Sequence, residues 1–503
     1  QAVNNAAVSI GILALFLVAA VVLGIRAARG QDKVDLAEWS IGGRSLGIVM
    51  TLVLMAGETY TSFSYLGAAG WSYTYGASGL YLVAYLSIGM AVSYLVGPLL
   101  WGYAHRHGLH NITDLVAHRF AAPWLGAVVA VVATVFLLPY IQLQITGMGT
   151  VVASVSYGAI GLGLSYLVAF LISEVFILAS GLRGSAWVSV LKDITVVVTL
   201  AVVFVYVPLK FFGGYGELMN RLITERPAWL TLPGPKGDTY GMAWFISTAL
   251  LNGAVYSVLP TSVAGFLGAR SAQTLRRNAM ILPFYQLLLF IPVLLGMAAT
   301  FVVPGLKNSN LAMFEMIRAE MPAWLLGVIG AAGALSAIVP MAVFMLVIGT
   351  MWSRSILGRH PRTAGRQRQL AQLVTLVAGL VALGMTFLFP NVLVRLSVIS
   401  YEGIAQLLPL VVLALLWRRM SMVGAVVGMS VGIAVVLALV ITGNDPWSGI
   451  NAGAIGLVAN LAITYVATLV RPDNPPDDRM PVPEFDTGLP RSVTAGTRPD
   501  GDL

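Results

Sequence analysis

MAGETYTSFSYLG, residues 55–67, interrupts an apolar stretch with one carboxylate, Glu58, and with hydroxyls at Thr59, Tyr60, Thr61, Ser62 and Ser64. A segment whose only task was to cross a bilayer would avoid all of them. Each polar group withdrawn from water needs a partner or carries a free-energy penalty. The stretch therefore predicts a helix that breaks at membrane depth, with hydroxyls lining a site at the break.

The rest of the chain supplies the membrane. Of 503 residues, 58% are hydrophobic and 10% charged, and the mean hydropathy is +0.85. Soluble domains carry roughly 25% charged residues, so this is an all-α polytopic membrane protein. The absence of cysteine rules out disulfides and thiolate chemistry, and the five histidines, which include His107 and His110 three apart in a predicted loop, come with no cysteine or H-E-x-x-H motif that would make a zinc site. With no nucleophile constellation either, neither an enzyme nor a cofactor is expected. The pI near 9.6 suggests nucleic acid, but the basic residues sit in short loops, where membrane topology explains them.

Thirteen apolar segments reach spanning length, roughly 20 residues each: 6–28, 45–70, 77–103, 122–150, 159–180, 186–209, 241–268, 279–304, 323–352, 369–389, 391–417, 421–442 and 449–470. The first reads as a span rather than a signal peptide. One set of alternate loops holds seventeen Lys and Arg, the other six. The positive-inside rule makes the first set cytoplasmic, with the N-terminus outside and the C-terminus cytoplasmic. Residues 471–503, rich in Pro, Asp, Gly and Arg, read as a disordered tail.

A second span is broken in the same way. LLNGAVYSVLPTSVAG, residues 250–265, carries Gly253 and Pro260 in mid-span. It lies five spans after the first broken one, so the two cross in opposite directions. Glycine and proline breaks at matching places in two halves point to an inverted-repeat secondary transporter.

At these residues the chain resembles a known family. EWSIGGRSLG (38–47), SYLGAAGWSYTYG (64–76) and GLRGSAWVSVLKD (181–193) are similar to the sodium/solute symporter family. GETYTSF (57–63), LLPYIQLQITGMG (137–149), LPTSVAGFLGARSAQTLRRNAMILPFYQ (259–286) and LSAIVPMAVFMLVIGTMWSRSIL (335–357) resemble its bacterial monocarboxylate permease branch, across residues 36–440. The resemblance implies an inverted five-helix repeat (LeuT-like) core. Residues 1–30 would hold an accessory first helix, 45–209 the first repeat, 241–418 the second, and 419–470 two accessory helices. It also implies a bacterial plasma (inner) membrane location and uptake of a small organic anion with a coupling ion.

Carried over by position, substrate binding falls on Thr59, Ser64, Asn252, Tyr256 and Gln286, with Ser62 from the same break. Tyr140, Gln142 and Gln144 join from PYIQLQ. Alternate glutamines on a helix diverge, so at most one faces the site. Packing hydrogen bonds between helices are the other reading for each residue. The family's sodium position maps to the carbonyls of Gly57, Tyr60 and Ser336, but the two expected hydroxyl ligands fall on Val339 and Pro340. Sodium, a hard cation, prefers several oxygen ligands, and two are missing.

Charges remain at membrane depth, where insertion scales put the penalty at about 2.5–3.5 kcal/mol each. Lys192 and Asp193 lie inside the sixth span, and Lys192 stands where the family pattern has Thr. Its ammonium either takes the vacant ion position and is discharged by deprotonation, snorkels to the cytoplasmic interface, or forms a structural pair with Asp193. Glu58 is a proton-exchanging carboxylate or a permanently ionised cap. Glu174 reads as structural, Arg395 as an outer-end snorkel and Glu402 as a gate marker. The expected function is proton-favoured symport of a lactate- or pyruvate-like monocarboxylate. Sodium-driven uptake of another organic solute is the alternative, and a transporter-fold sensor the rival from a different class.

Overall fold

The computed structural model describes residues 2–28, 48–357, 364–391 and 393–481. They are helical almost throughout, as lipid requires of a chain whose backbone groups must bond within their own segment.

α1 (Ala2–Ala28) is followed by the first broken crossing, α2 (Ile48–Thr59) and α3 (Ala68–Tyr75). Next come α4 (Tyr81–His107), a short α5 (Ile112–Phe120), α6 (Pro123–Val155) and the long α7 (Leu162–Phe212). α8 (Tyr215–Glu225) leads to the second broken crossing, α9 (Met242–Val255) and α10 (Pro260–Gly268). α11 (Ala272–Gln286), α12 (Phe290–Val302), α13 (Ala312–Glu320), α14 (Ala323–Ser355), α15 (Ala364–Leu388), α16 (Leu393–Ile404), α17 (Met422–Ile441) and α18 (Ala452–Val470) complete the order.

The helices sort into two groups. α14 is the spine of one, with the whole of its most apolar stretch buried. It packs against α1, α6, α7 and α15. Glycines make the close approach possible: a Cβ on Gly330 would lie 2.4 Å from Val155. The second group joins both broken crossings: α4 packs on α9 and α11, and α2 packs on α10 and α11. α17 and α18 pair with each other, and α18 leans on α16.

Two expectations change. Among the described residues, eleven helices are long and apolar enough to cross a membrane, or twelve with the pair α9–α10, bent by 40°. The expected thirteenth crossing is the first broken one. Its first part, Ile48–Gly57, is short, and its second part runs on within the apolar stretch Phe63–His107. Spans five and six remain two crossings, Leu162–Ala179 and Gly184–Phe212, which meet within α7 at a kink where Gly181 is non-helical (φ 61°, ψ −169°), a conformation open to glycine. The tail is ordered as far as it is described, to residue 481. Asp473 accepts from the Met422 amide at 2.7 Å, Asp477 pairs with Arg418, and Tyr103 bonds the Arg479 carbonyl.

Candidate ion and substrate site

The opening stretch uses its hydroxyls first to close its own break. Helical bonding stops at Thr59, and a π turn over Phe63–Gly67 restarts it. Between them, Ser64 Oγ donates to the Thr59 carbonyl at 2.6 Å and accepts from the Thr61 amide at 2.9 Å. Thr61 Oγ1 accepts from the Phe63 amide at 3.1 Å, and Gln144 Oε1 from the Ser62 amide at 3.3 Å. Side chains thus replace the lost ladder bonds at a depth where water cannot.

Two carbonyls of the break remain, Gly57 and Tyr60, and Lys192 of α7 answers both. Its Nζ donates to each at 3.2 Å and lies 2.9 Å from Asp193 Oδ1. Lys192 is fully buried, so it points into the molecule rather than out to the interface. Glycine at 57 permits this: a Cβ there would stand 3.0 Å from Ser189 Oγ and 3.5 Å from Lys192 Nζ. Tyr60 donates its hydroxyl to the Tyr285 carbonyl at 2.7 Å and packs its ring on Tyr285 at 4.6 Å. The Tyr285 phenol faces Asp193 in turn. One lysine therefore joins α7 to the broken helix of the opposite group. Ser336 is buried on α14, its hydroxyl without a hydrogen-bond partner among the described residues, and Val339 and Pro340 follow it. The Glu58 side chain lies outside the described residues.

Around the second break, Asn252 ends a buried face of α9, and Pro260 opens α10 after an extended Leu259. The side-chain amides of Asn252 and Gln286 are buried, with no hydrogen-bond partner among the described residues. Tyr256 packs against Gly89 of α4 and is also buried. Thr59 Oγ1 donates to the Met55 carbonyl at 3.4 Å, and the Ser62 hydroxyl has no hydrogen-bond partner among the described residues.

The structure separates the two glutamines. Gln142 leaves the expected site: its amide donates to the carbonyls of Met385 and Phe389 at 3.2 and 2.8 Å, tying α6 to the end of α15. Gln144 faces the first break instead. Residues two apart on a helix diverge by about 200°, so one of the pair had to leave. Sequence reasoning missed Ser189 and Tyr285. Ser189 was within reach, since it lies three residues before Lys192 on the same face.

The other buried charges also have places. Glu174 packs against Gly379 of α15, and its carboxylate has no hydrogen-bond partner among the described residues. Arg395 does not snorkel. It faces Glu402 at 3.8 Å and pairs closely with Asp445, both of which are fully buried. A cavity of about 240 Å³ is lined by Trp71, Tyr75, Lys307, Asn310 and, from α16, Val394. Among the described residues no cluster of His, Asp and Glu could hold a metal.

With this geometry in place, the comparisons agree. A monocarboxylate transport permease protein from Rhizobium johnstonii is 27% identical over 94% of this chain and 99% of its own. The uncharacterized symporter YhjB of Bacillus subtilis is 32% identical over 90% of this chain and 95% of its own. Among solved structures, a Na+-coupled sialic acid symporter in its outward-open state aligns with a TM-score of 0.77, at 18% identity, over 93% of this chain and 99% of that one. At that identity the match speaks for the fold, the inverted-repeat core with its two broken helices. The family model for the sodium:solute symporter family matches residues 39–432, and the chain belongs to that family.

Proposed function

We propose that this symporter takes up a small monocarboxylate, of the lactate or pyruvate kind, across a bacterial plasma membrane and couples it to protons. The single observation that carries the coupling reading is Lys192 on the carbonyls of Gly57 and Tyr60, beside Val339 and Pro340 in place of hydroxyl ligands. The ammonium stands where a coupling cation would sit. Protonated, it holds the broken helix against α7. Once it has lost the proton, it no longer does. A ligand shifts a conformational equilibrium only through such a difference between states. The similarity to the Rhizobium permease supports the substrate class, and the unbonded amides of Asn252 and Gln286 offer polar contacts at the second break. The basic loops support an N-terminus outside and a C-terminus inside.

The second reading is sodium-driven uptake, favoured by the structural neighbour's sodium coupling. Uptake of a panel of labelled short carboxylic acids into proteoliposomes, with sodium and pH gradients imposed separately, decides between them. Concentrative uptake under a pH gradient with choline in place of sodium is expected. Uptake that vanishes on that replacement overturns proton coupling.

A further inference from the structure

Residues 471–481 run back across the end of the molecule where α4 stops and α5 begins. Asp473 holds the first amide of α17, and its own amide donates to the Arg419 carbonyl at 3.1 Å. Arg418 donates to the Pro475 carbonyl at 3.2 Å and pairs with Asp477. Further along, the Tyr103 hydroxyl of α4 lies 3.3 Å from the Arg479 carbonyl and 2.7 Å from His118 Nδ1 of α5. The His107 ring of α4 rests on the His118 ring, with centroids 4.2 Å apart.

These contacts join elements of both helix groups. α4 packs on α9 and α11, beside the broken crossings. α5 packs on α6 of the other group, and its Asp114 pairs with Arg354 of α14 at 2.9 Å. Arg119 of α5 donates to the carbonyls of Ala414 and Arg418 at 2.8 and 3.0 Å, which fixes α5 to the approach to α17. If the two groups separate at this end, Tyr103 and His107 leave His118, and the tail loses its hold on one side.

We infer that residues 471–481 and the His107–His118 pair form a latch, which keeps this end of the molecule closed and lets go when the histidines take up protons. Two imidazoles in ring contact repel if both are charged. The groups around them add to that repulsion. His118 faces His107 and Tyr103 of α4, and Asp478 and Arg479 of the tail. His107 faces Arg106 and Asp478 as well. Asp478 is the one carboxylate among these groups, and it is exposed, so water and salt screen its attraction. The other nearby carboxylates are committed: Asp473 to the Met422 amide, Asp477 to Arg418 and Asp114 to Arg354. Burial first, then His107 and Arg479, holds the His118 imidazole below its usual pKa. The released state therefore binds the proton more readily than the latched one. The latch is at full strength above about pH 6.5 and weakens as pH falls through the lowered value. The loss is up to about tenfold per pH unit for each histidine that becomes charged.

The test reads the latch directly and does not depend on what the transporter carries. The chain has no cysteine, so introduced pairs take spin labels at chosen positions alone. Gln273 of α11 and Gln369, in the first turns of α15, are both exposed. The Trp101 indole donates to the Ala269 carbonyl at 2.9 Å, which puts the start of α11 beside the end of α4. Gln273→Cys/Met480→Cys reports docking of the tail, and Gln273→Cys/Gln369→Cys the gap between the groups. Distances are measured by pulsed EPR on the full-length protein in lipid nanodiscs. Both should be short and narrow at about pH 8 and longer at about pH 5.5, with the released fraction rising at least about tenfold. Adding His107→Gln/His118→Gln keeps polar side chains that cannot charge, and should leave both distances short at either pH. Asp473→Ala/Asp477→Ala should release the tail and widen the gap already at about pH 8. A wild-type tail distance indifferent to pH overturns the release, and this comparison needs no further variant to dock. A shift that persists in the histidine double variant overturns the histidines as its cause. A tail that leaves while the gap stays closed overturns the latch.

Discussion

Lys192 and Arg395 are both cations held inside the helices, and what faces them differs. Lys192 has two backbone carbonyls and one carboxylate around a compact ammonium. Arg395 has two buried carboxylates, Glu402 and Asp445, around a planar guanidinium. The elements joined differ as well. Lys192 connects α7 to the broken crossing of the other helix group. Arg395 connects α16 to the α17–α18 connection, where Asp445 also accepts from the Ala452 amide at 3.0 Å. A lysine in a dry site can give up its proton, whereas an arginine keeps its charge. Carbonyls lose their hold once the ammonium is discharged; two carboxylates around a permanent charge have no such release. Burial and charge alone do not distinguish a switch from a clasp. The chemistry of the cation and of its partners does.

The largest effect should come from removing the switch proposed at Lys192. Lys192→Gln is expected to keep substrate exchange across the membrane but to lose concentrative uptake entirely, since exchange needs no coupling ion and accumulation does. Lys192→Arg should fail in the same way, because guanidinium holds its proton. Arg395→Lys, with the same change of charge type in reverse, should still accumulate substrate. Counterflow measured beside pH-driven uptake separates the cases. Full accumulation by Lys192→Gln would erase the distinction between the two sites.

The clasp should show itself in stability instead. Arg395→Met leaves Glu402 and Asp445 buried without their cation, a change of about 3–5 kcal/mol. Thermal unfolding in detergent should report it as a large drop. Adding Glu402→Gln and Asp445→Asn should recover much of the loss, because the uncompensated charge is then gone. A triple variant no more stable than the single one argues against charge as the cause.

This contrast also marks what the sequence could tell. Composition and span length were enough for a helical membrane protein, and the two interrupted stretches for an inverted repeat, because each signal is local. Lys192 stood out because a charge at that depth is rare. Arg395 was misread as a snorkelling residue because its partner Asp445 lies fifty residues on, in a loop, and nothing local links them. The hydroxyls of the opening stretch were read as lining a site. Ser64 and Thr61 bond the broken backbone instead, which depends on where the helix stops and restarts. Gln142 and Gln144 differ only in helix phase, which the sequence leaves open by one residue in either direction. The crossing count came out differently because a broken span does not follow the boundaries of an apolar run.

A smaller effect is expected where the switch is packed. Gly57→Ala places a methyl 3.0 Å from Ser189 Oγ and 3.5 Å from Lys192 Nζ. Overpacking of this kind typically destabilises by about 1–3 kcal/mol. Because it presses α2 away from α7, it should weaken coupling as well as folding. Gly57→Ala with Ser189→Gly should restore both, since the methyl then has room. Rescue of stability without rescue of accumulation would place the coupling contact elsewhere than at this helix pair.

The smallest effect probes whether the clasp is passive. Asn451 caps α18, its Oδ1 accepting from the Gly453 amide at 2.8 Å and the Ala454 amide at 3.3 Å. Its amide nitrogen also donates to Thr248 of α9 at 3.2 Å. Replacing a cap by alanine removes about 1 kcal/mol of stability. Asn451→Ala should therefore lower the unfolding temperature by a few degrees, through the helix start next to Asp445. If Arg395, Asp445 and this cap only hold α18 in place, the ratio of accumulated to external substrate stays at the wild-type value even as stability falls. α9, however, carries the second break, and Asn451 touches it. A lower accumulation ratio at unchanged exchange would show that the accessory helices restrain α9 during transport. The clasp would then belong to the moving machinery, and the contrast with Lys192 would narrow to a difference between two working parts.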